Sequence, residues 1–438
     1  MSALAALAAT PLAAIDTGDT AWMLVATALV LMMTPALGLF YAGLVRSKNT
    51  LNTFMMCVGA IAVATVTWAL VGYSLAFDGS GSIVGGLGHL ALHGVGFAPR
   101  PGTTIPQLVF MAFQATFCIV TTALVSGAVV ERMRFGAFLV FAALWSVLVY
   151  AVLAHWAFGG GWLSANGALD FAGGVPVEMG SGFSALAAAL VVGARKDYGR
   201  QALIPHNAVY VLLGAGLLWF GWFGFNGGSG FSTGHPGVLA FVNTLLTPAC
   251  TLVVWFVLDL LRGRRVTAIG AATAIVVGCV AITPAAGFIS PGWAMGLGAL
   301  AALPSYGVIV YRTRTRVDET LDVLAAHGIA GFTGILFIGF AAQAAWNGVS
   351  DGLLYGNPAQ LGDQALAALA GPAYAFGATF VLLKLIGRLM PLRATAHEEA
   401  MGMDIVQHGE EAYATGEGAI LVLPEDGAHA GVMVADPG

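Results

Sequence analysis

The sequence predicts an all-α polytopic membrane protein with eleven transmembrane helices, and three observations carry that prediction. Of 438 residues, 58% are hydrophobic and 9% charged, whereas a soluble domain carries about 25% charged residues; the mean hydropathy is +0.85. Apolar stretches of about 20 residues, long enough to cross a bilayer as helices, recur along the whole chain. Basic residues fall on alternate connections between them.

In chain order the spans are 22–45, 51–77, 106–130, 135–158, 174–194, 205–226, 236–261, 266–286, 291–311, 322–343 and 363–389. The short breaks are rich in Gly, Pro and charge and read as turns. Arg46 and Lys48 follow span 1, Arg132 and Arg134 span 3, and Arg195, Lys196 and Arg200 span 5. Arg262, Arg264 and Arg265 follow span 7, Arg312, Arg314 and Arg316 span 9, and Lys384, Arg388 and Arg393 close span 11. That puts 16 of the 17 Lys and Arg on one face, with Arg100 alone on the other. Cytoplasmic loops hold the basic residues, so the chain is expected to be multi-pass in the inner (plasma) membrane, N-terminus outside and C-terminus cytoplasmic.

Three regions follow. Residues 1–21 form an extracytoplasmic N-terminal segment, whose Ala- and Leu-rich start resembles a signal remnant without a positive n-region. Residues 22–389 form the eleven-helix membrane domain. Residues 390–438 form a cytoplasmic tail too short for an enzymatic domain of typical size. Cys57, Cys118, Cys250 and Cys279 lie in apolar runs without metal-ligand spacing. His89 and His93 sit in a Gly-rich external loop with no other ligand nearby and read as solvated. No phosphate loop or nucleotide-binding cassette appears. The expectation is a protein that is not an enzyme and has no cofactor, metal or nucleic-acid partner.

Spans 1–5 and 6–10 have opposite topologies, which invites an inverted 5+5 repeat plus one extra helix. Leu169-Asp170 before span 5 is echoed by Leu321-Asp322 before span 10. Each is followed by an ionisable residue inside the helix, Glu178 and His327. A pseudo-two-fold axis would bring these together near the midplane, where transporter sites are expected. A carboxylate at that depth is costly and marks a functional candidate; a staple between helices is the plainer alternative. Other polar residues within spans are Gln114, Thr116, His155, His206, Asn207, Asn226, Ser229 and Asp259. Of these, His155, His206 and Asp259 lie near span ends and read as structural. Aromatic side chains form a second signal: Phe113 and Phe117 at spacing i, i+4, Trp156 and Phe158 closing span 4, and Trp219 to Phe225 before Asn226-Gly227-Gly228-Ser229. Interfacial belts and a cation site of ring faces both account for them.

Asp170-Phe171-Ala172-Gly173-Gly174, with Gly193-Ala194-Arg195 downstream, resembles the signature of the Amt/Mep/Rh ammonium transporter superfamily. So do Phe40 to Asn49, Ala112-Phe113-Gln114, Glu131 to Phe135, Gly221 to Ser229, Thr283-Pro284-Ala285, Asp322 to Gly328 and His408 to Tyr413. The likeness runs from about residue 20 to 413 in collinear order and is nearest to the bacterial Amt branch. It implies eleven spans, a homotrimer with one pore per subunit, and a substrate-binding site at Phe117, Phe158 and Ser229, shaped through the backbone by Asp170. It also implies a pore gate of stacked rings, Phe117 and Phe225, and makes His327 the second histidine of the pore pair. Two departures stand out. Phe158 replaces a common Trp, and Glu178 replaces the first pore histidine, a twin-histidine variant also found in some fungal members. The implied function is to recruit ammonium, deprotonate it and conduct ammonia, with a proton relay through Glu178 and His327. An ammonium sensor with little flux and a less selective monovalent cation channel are the competing readings. The Gly402 to Tyr413 block resembles the region that contacts neighbouring subunits, on the face where PII-type signal proteins dock.

Overall fold

The computed structural model describes residues 15–79, 81–201, 204–263 and 265–413. The expected signal remnant, within 1–14, and the tail from 414 lie outside the described residues. Among the described residues, ten helices are long and apolar enough to cross a membrane. They are α1 (Thr17–Leu44), α2 (Ser47–Phe77), α3 (Gln107–Ser126), α4 (Phe135–Ala165), α5 (Gly174–Val192), α6 (Ala208–Gly228), α7 (His235–Gly263), α9 (Pro291–Arg312), α10 (Leu324–Ala341) and α11 (Ala359–Leu389). The remaining apolar helix, α8 (Ala268–Ile282), has 15 residues. It stops short of the expected 266–286 because Pro284, two residues past its end, has no N–H with which to continue the helix. Residues 283–287 stay buried as irregular chain, and the Pro284 carbonyl accepts the Phe171 N–H at 2.9 Å. The expected span 106–130 likewise stops at Ser126, where the chain turns.

Small residues set the helix contacts, as they do where apolar packing must bring backbones close. On α6 a glycine stripe faces α1. A Cβ at Gly214 would lie 2.5 Å from the Phe40 nitrogen, and one at Gly228 would lie 2.8 Å from the Ala26 Cβ. Near the centre α5 crosses α10. A Cβ at Gly182 would lie 2.3 Å from the Gly328 nitrogen, and one at Gly331 would lie 2.6 Å from the Glu178 Cβ. Both helices open with a six-residue π-helical turn, Gly174–Met179 and Leu324–Ile329, a feature frequent at functional sites.

The basic end is built from buried ion pairs. Glu131 lies between Arg46, 2.9 Å away, and Arg195, 2.5 Å away, and Arg195 also holds Asp318 at 2.8 Å. Burial alone would raise the Glu131 carboxyl, but Arg195 and Arg46 outweigh it and hold it below the ordinary carboxylate value. Asp318 is held low in the same way, burial being outweighed by Arg195 and then Arg132. Arg132 is fully buried and donates to the Gly193 carbonyl, the Thr320 hydroxyl and the Asp318 carbonyl at 2.6–2.7 Å. Residues that mark topology in the sequence are therefore also structural. The chain after α11 folds back on this end. Its short helices are α12 (Ala396–Met401) and α13 (Met403–His408). Asp404 accepts the N–H groups of Leu51 and Asn52 at 3.0 and 2.7 Å, so the tail caps the start of α2.

Candidate conduction path

At the end opposite the basic residues, a cavity of about 300 Å3 is lined by Phe117, Phe158, Asp170 and Ser229. These four come from α3, α4, the α4–α5 connection and the residue after α6, and all four had been expected in one site. Gln114 and Arg100 share the lining. The Ser229 hydroxyl donates to the Phe225 carbonyl at 2.8 Å, which leaves its lone pairs to accept a donor from the cavity. Asp170 accepts the N–H groups of Gly173, Gly174 and Val175 at 2.9, 2.7 and 2.7 Å. Its carboxylate is thus spent on the first turn of α5. Gly173 has φ +116°, where a side chain would be strained. Asp170 thereby fixes the backbone at the head of α5 beside the cavity.

Below the cavity, the Phe117 and Phe225 rings stack with centroids 4.0 Å apart and an interplanar angle of 23°. Both are buried, so the path is shut at this point. Beyond them a space of about 10 Å3 is bordered by Met33, Leu37, Val120, Val177, Trp222 and Phe225, with Glu178 and His327 at its far side. That is room for about one water-sized sphere, and the wall is otherwise mostly apolar. The His327 Nδ1 lies 2.8 Å from the Glu178 Oε2. Glu178 is 0% exposed, and its second oxygen, Oε1, has no partner. A neutral imidazole with its proton on Nδ1, or an imidazolium, donates to the carboxylate in this geometry.

His327 also borders a third cavity, of about 380 Å3, that runs toward the basic end past Tyr41, Phe40, Arg195, Arg312 and Asp322. The imidazole therefore touches both the narrow space and the wide one. The other polar residues are held elsewhere. His206 contacts the Val45 carbonyl and Tyr413, His155 contacts the carbonyls of Ala76 and Gly81, and Asp259 accepts the Thr267 N–H. Asn226 donates to Thr244, and Thr116 to the Phe113 carbonyl. Asn207 caps α6 by accepting the Tyr210 N–H. Among the described residues no group of His, Cys, Asp and Glu could hold a metal ion.

The hydrogen bonds correct one pairing drawn from the sequence. Asp322 does not play the part of Asp170: it pairs with Arg312. Glu319 does, by accepting the N–H groups of Val323 and Leu324 at 2.9 and 3.2 Å. Asp170 precedes Glu178 by eight residues and Glu319 precedes His327 by eight. The glycine contacts keep the same offset, since Gly182 meets His327 and Gly328 while Gly331 meets Glu178 and Met179. The eight-residue spacing to the ionisable residue, and not the matching Leu-Asp pair, identifies the equivalent carboxylates.

The profile of the Ammonium Transporter Family matches residues 21–413. An ammonium transporter of Bacillus subtilis (strain 168) is 44% identical over 399 residues, covering 90% of this chain and 98% of the relative. The crystal structure of Mep2 from Saccharomyces cerevisiae superposes with a TM-score of 0.85 at 32% identity, covering 93% of each chain. A structure titled Sensor Amt Protein superposes with a TM-score of 0.83 at 27% identity, covering 89% of this chain and 98% of the other. The chain belongs to the ammonium transporter family.

Proposed function

We propose that this chain transports ammonium across a membrane, and that Glu178 and His327 relay the proton the cation gives up. The observation that carries the proposal is the series of spaces meeting at one titratable pair: an aromatic mouth, a shut ring gate, a narrow apolar space, then His327 opening on a wide polar cavity. Ammonium and potassium share charge and approximate size, but only ammonium donates hydrogen bonds and can lose a proton. The Ser229 oxygen accepts such a bond, and the faces of Phe117 and Phe158 favour a cation. The apolar segment disfavours an intact charge, so ammonia crosses it and the proton moves separately through groups that can hold it. A carboxylate and an imidazole 2.8 Å apart can pass a proton between them, and proton paths in transporters are built from such groups.

The wider arrangement follows from the same reading. Arg100 and the mouth face outward, and the basic end is cytoplasmic in the inner membrane. α8 serves as the eleventh span, its shortness made up by the buried chain after it. The halves α1–α5 and α6–α10 form an inverted repeat, supported by the eight-residue offsets and the reciprocal glycine contacts. Three copies assemble, each with its own path, and the tail face is the docking surface for a PII-type signal protein. A second reading, an ammonium sensor, is favoured by the likeness to the sensor structure.

Currents from purified protein in liposomes on solid-supported membranes test both. Ammonium pulses should give currents in the parent, reduced at least tenfold in Glu178→Gln and partly kept in Glu178→His. An unchanged Glu178→Gln current rejects the relay. Ammonium binding without current in the parent selects the sensor.

A further inference from the structure

Arg100 is the one Lys or Arg that the charge pattern leaves at the mouth end, and the recruitment scheme gives it no part. Yet it lines the mouth cavity together with Phe117, Phe158 and Ser229. Its guanidinium carbon sits 4.8 Å from the centre of the Phe110 ring and 5.5 Å from that of Phe77, both within cation–π range. No ion pair among the described residues involves Arg100. The surrounding loop is tied by backbone bonds, Arg100 N–H to the Ile105 carbonyl and Thr103 N–H to the Arg100 carbonyl. The nearest carboxylate in the cavity lining, Asp170, is committed to three backbone amides.

We infer that Arg100 is a resident cation that sets the affinity of the mouth for monovalent cations by repulsion. This rests on the reading of the mouth as a cation-recruiting site. Two consequences follow from the geometry. The ring of Phe110 already faces a charge, so the guest is left with Phe117 and Phe158. The guest must also enter a space of about 300 Å3 beside a positive charge that forms no ion pair with any carboxylate among the described residues. At roughly 8 Å separation in a half-solvated cavity, such repulsion weakens binding about fivefold, and it fades as the Debye length falls to about 3 Å in 1 M salt. An arginine here holds the recruitment site at low affinity without altering the gate or the pore.

The test is the half-saturating ammonium concentration of proteoliposome currents for the parent, Arg100→Gln and Arg100→Lys at low and high sodium chloride. Arg100→Gln should lower it about fivefold at low salt. Arg100→Lys should stay near the parent, and the parent and Arg100→Gln should converge at about 1 M salt. The parent alone gives an independent reading, since added salt should improve its apparent affinity. Equal shifts in Arg100→Gln and Arg100→Lys would make the residue a structural prop and overturn the inference. So would a parent whose affinity worsens or holds constant with salt. Ser229→Ala serves as the reference for the underlying site. If it weakens affinity while Arg100→Gln does nothing, only this inference fails; if Ser229→Ala is also silent, the recruitment reading fails with it.

Discussion

Gly182→Ala tests the point where α5 and α10 cross. The new Cβ would lie 2.3 Å from the Gly328 nitrogen and 2.4 Å from its Cα. Backbone cannot turn aside as a side chain can, and van der Waals contact needs about 3.5 Å, so the helices must separate by roughly 1.2 Å. Gly328 neighbours His327, whose bond to Glu178 spans the same two helices at 2.8 Å. A shift of that size takes the pair out of hydrogen-bond range. Overpacking of a close-packed contact costs about 1–3 kcal/mol, and losing a hydrogen bond to a charged group about 1.5–3 kcal/mol. Thermal unfolding in detergent should therefore show a loss of roughly 3–6 kcal/mol, with little ammonium current left in protein that still folds. Gly331→Ala, with a Cβ 2.6 Å from that of Glu178, should behave alike. Gly377→Ala meets nothing within 4 Å and should be neutral or slightly stabilising, as alanine is in a helix. A Gly182→Ala protein with parental stability and current would show that the crossing does not position the pair.

Three further outcomes are expected. Asp318→Ala strips Arg195 of a buried partner and should cost about 3–5 kcal/mol by the same unfolding measurement; a change under about 0.5 kcal/mol would mean that water replaces the carboxylate. Glu319 is buried, and burial followed by the nearby Asp322 pushes its carboxyl up to about 7. Because the folded value lies above the unfolded one, this group's contribution is full below about pH 4.5 and is lost as pH rises to 7; stability should fall between about pH 4.5 and 7 by at most roughly 3 kcal/mol, level off above that, and Glu319→Gln should flatten that slope. Asp170→Ala leaves three amides at the head of α5 unpaired and should lower current and ammonium affinity together; normal transport would separate the residue from the mouth.

The helices were legible because a bilayer imposes about 20 apolar residues on any helix that crosses it, and most observed bounds fall within a few residues of those read from composition. α3 and α8 each end four residues early; at α8, hydropathy does not register that Pro284, lacking an N–H, stops a helix while the chain stays buried. Phe117, Phe158, Asp170 and Ser229 were legible as a set through resemblance, and the structure gathers them around one cavity. Local pattern could not have found the ion-pair cluster at the basic end. Arg46, Glu131, Arg195 and Asp318 are far apart in the chain, and nothing in the sequence near Arg132 tells a buried arginine from a topological one. The crossing at Gly182 and Gly331 was hidden among 60 glycines, because only a neighbour's distance shows which of them must lack a side chain.

The two helix caps bear on what the path admits. In transporters with broken helices, N-termini near mid-membrane commonly present free amides to an anionic substrate. Here the N-termini of the two crossing helices, one at the mouth end and one at the basic end, are stoppered by the chain itself, α5 by Asp170 and α10 by Glu319. Their dipoles are spent on fixed carboxylates, so neither helix offers an anion a site. Eight residues further on, each helix places one titratable group at the crossing, and the two differ: an acid from α5 and a base from α10. A pair of that kind can hold one proton between unlike partners, in a wall that otherwise offers a guest little polarity. Neither helix end thus offers an anion a site, and under the proposed relay discrimination among cations falls to a step that only a cation with a removable proton can complete.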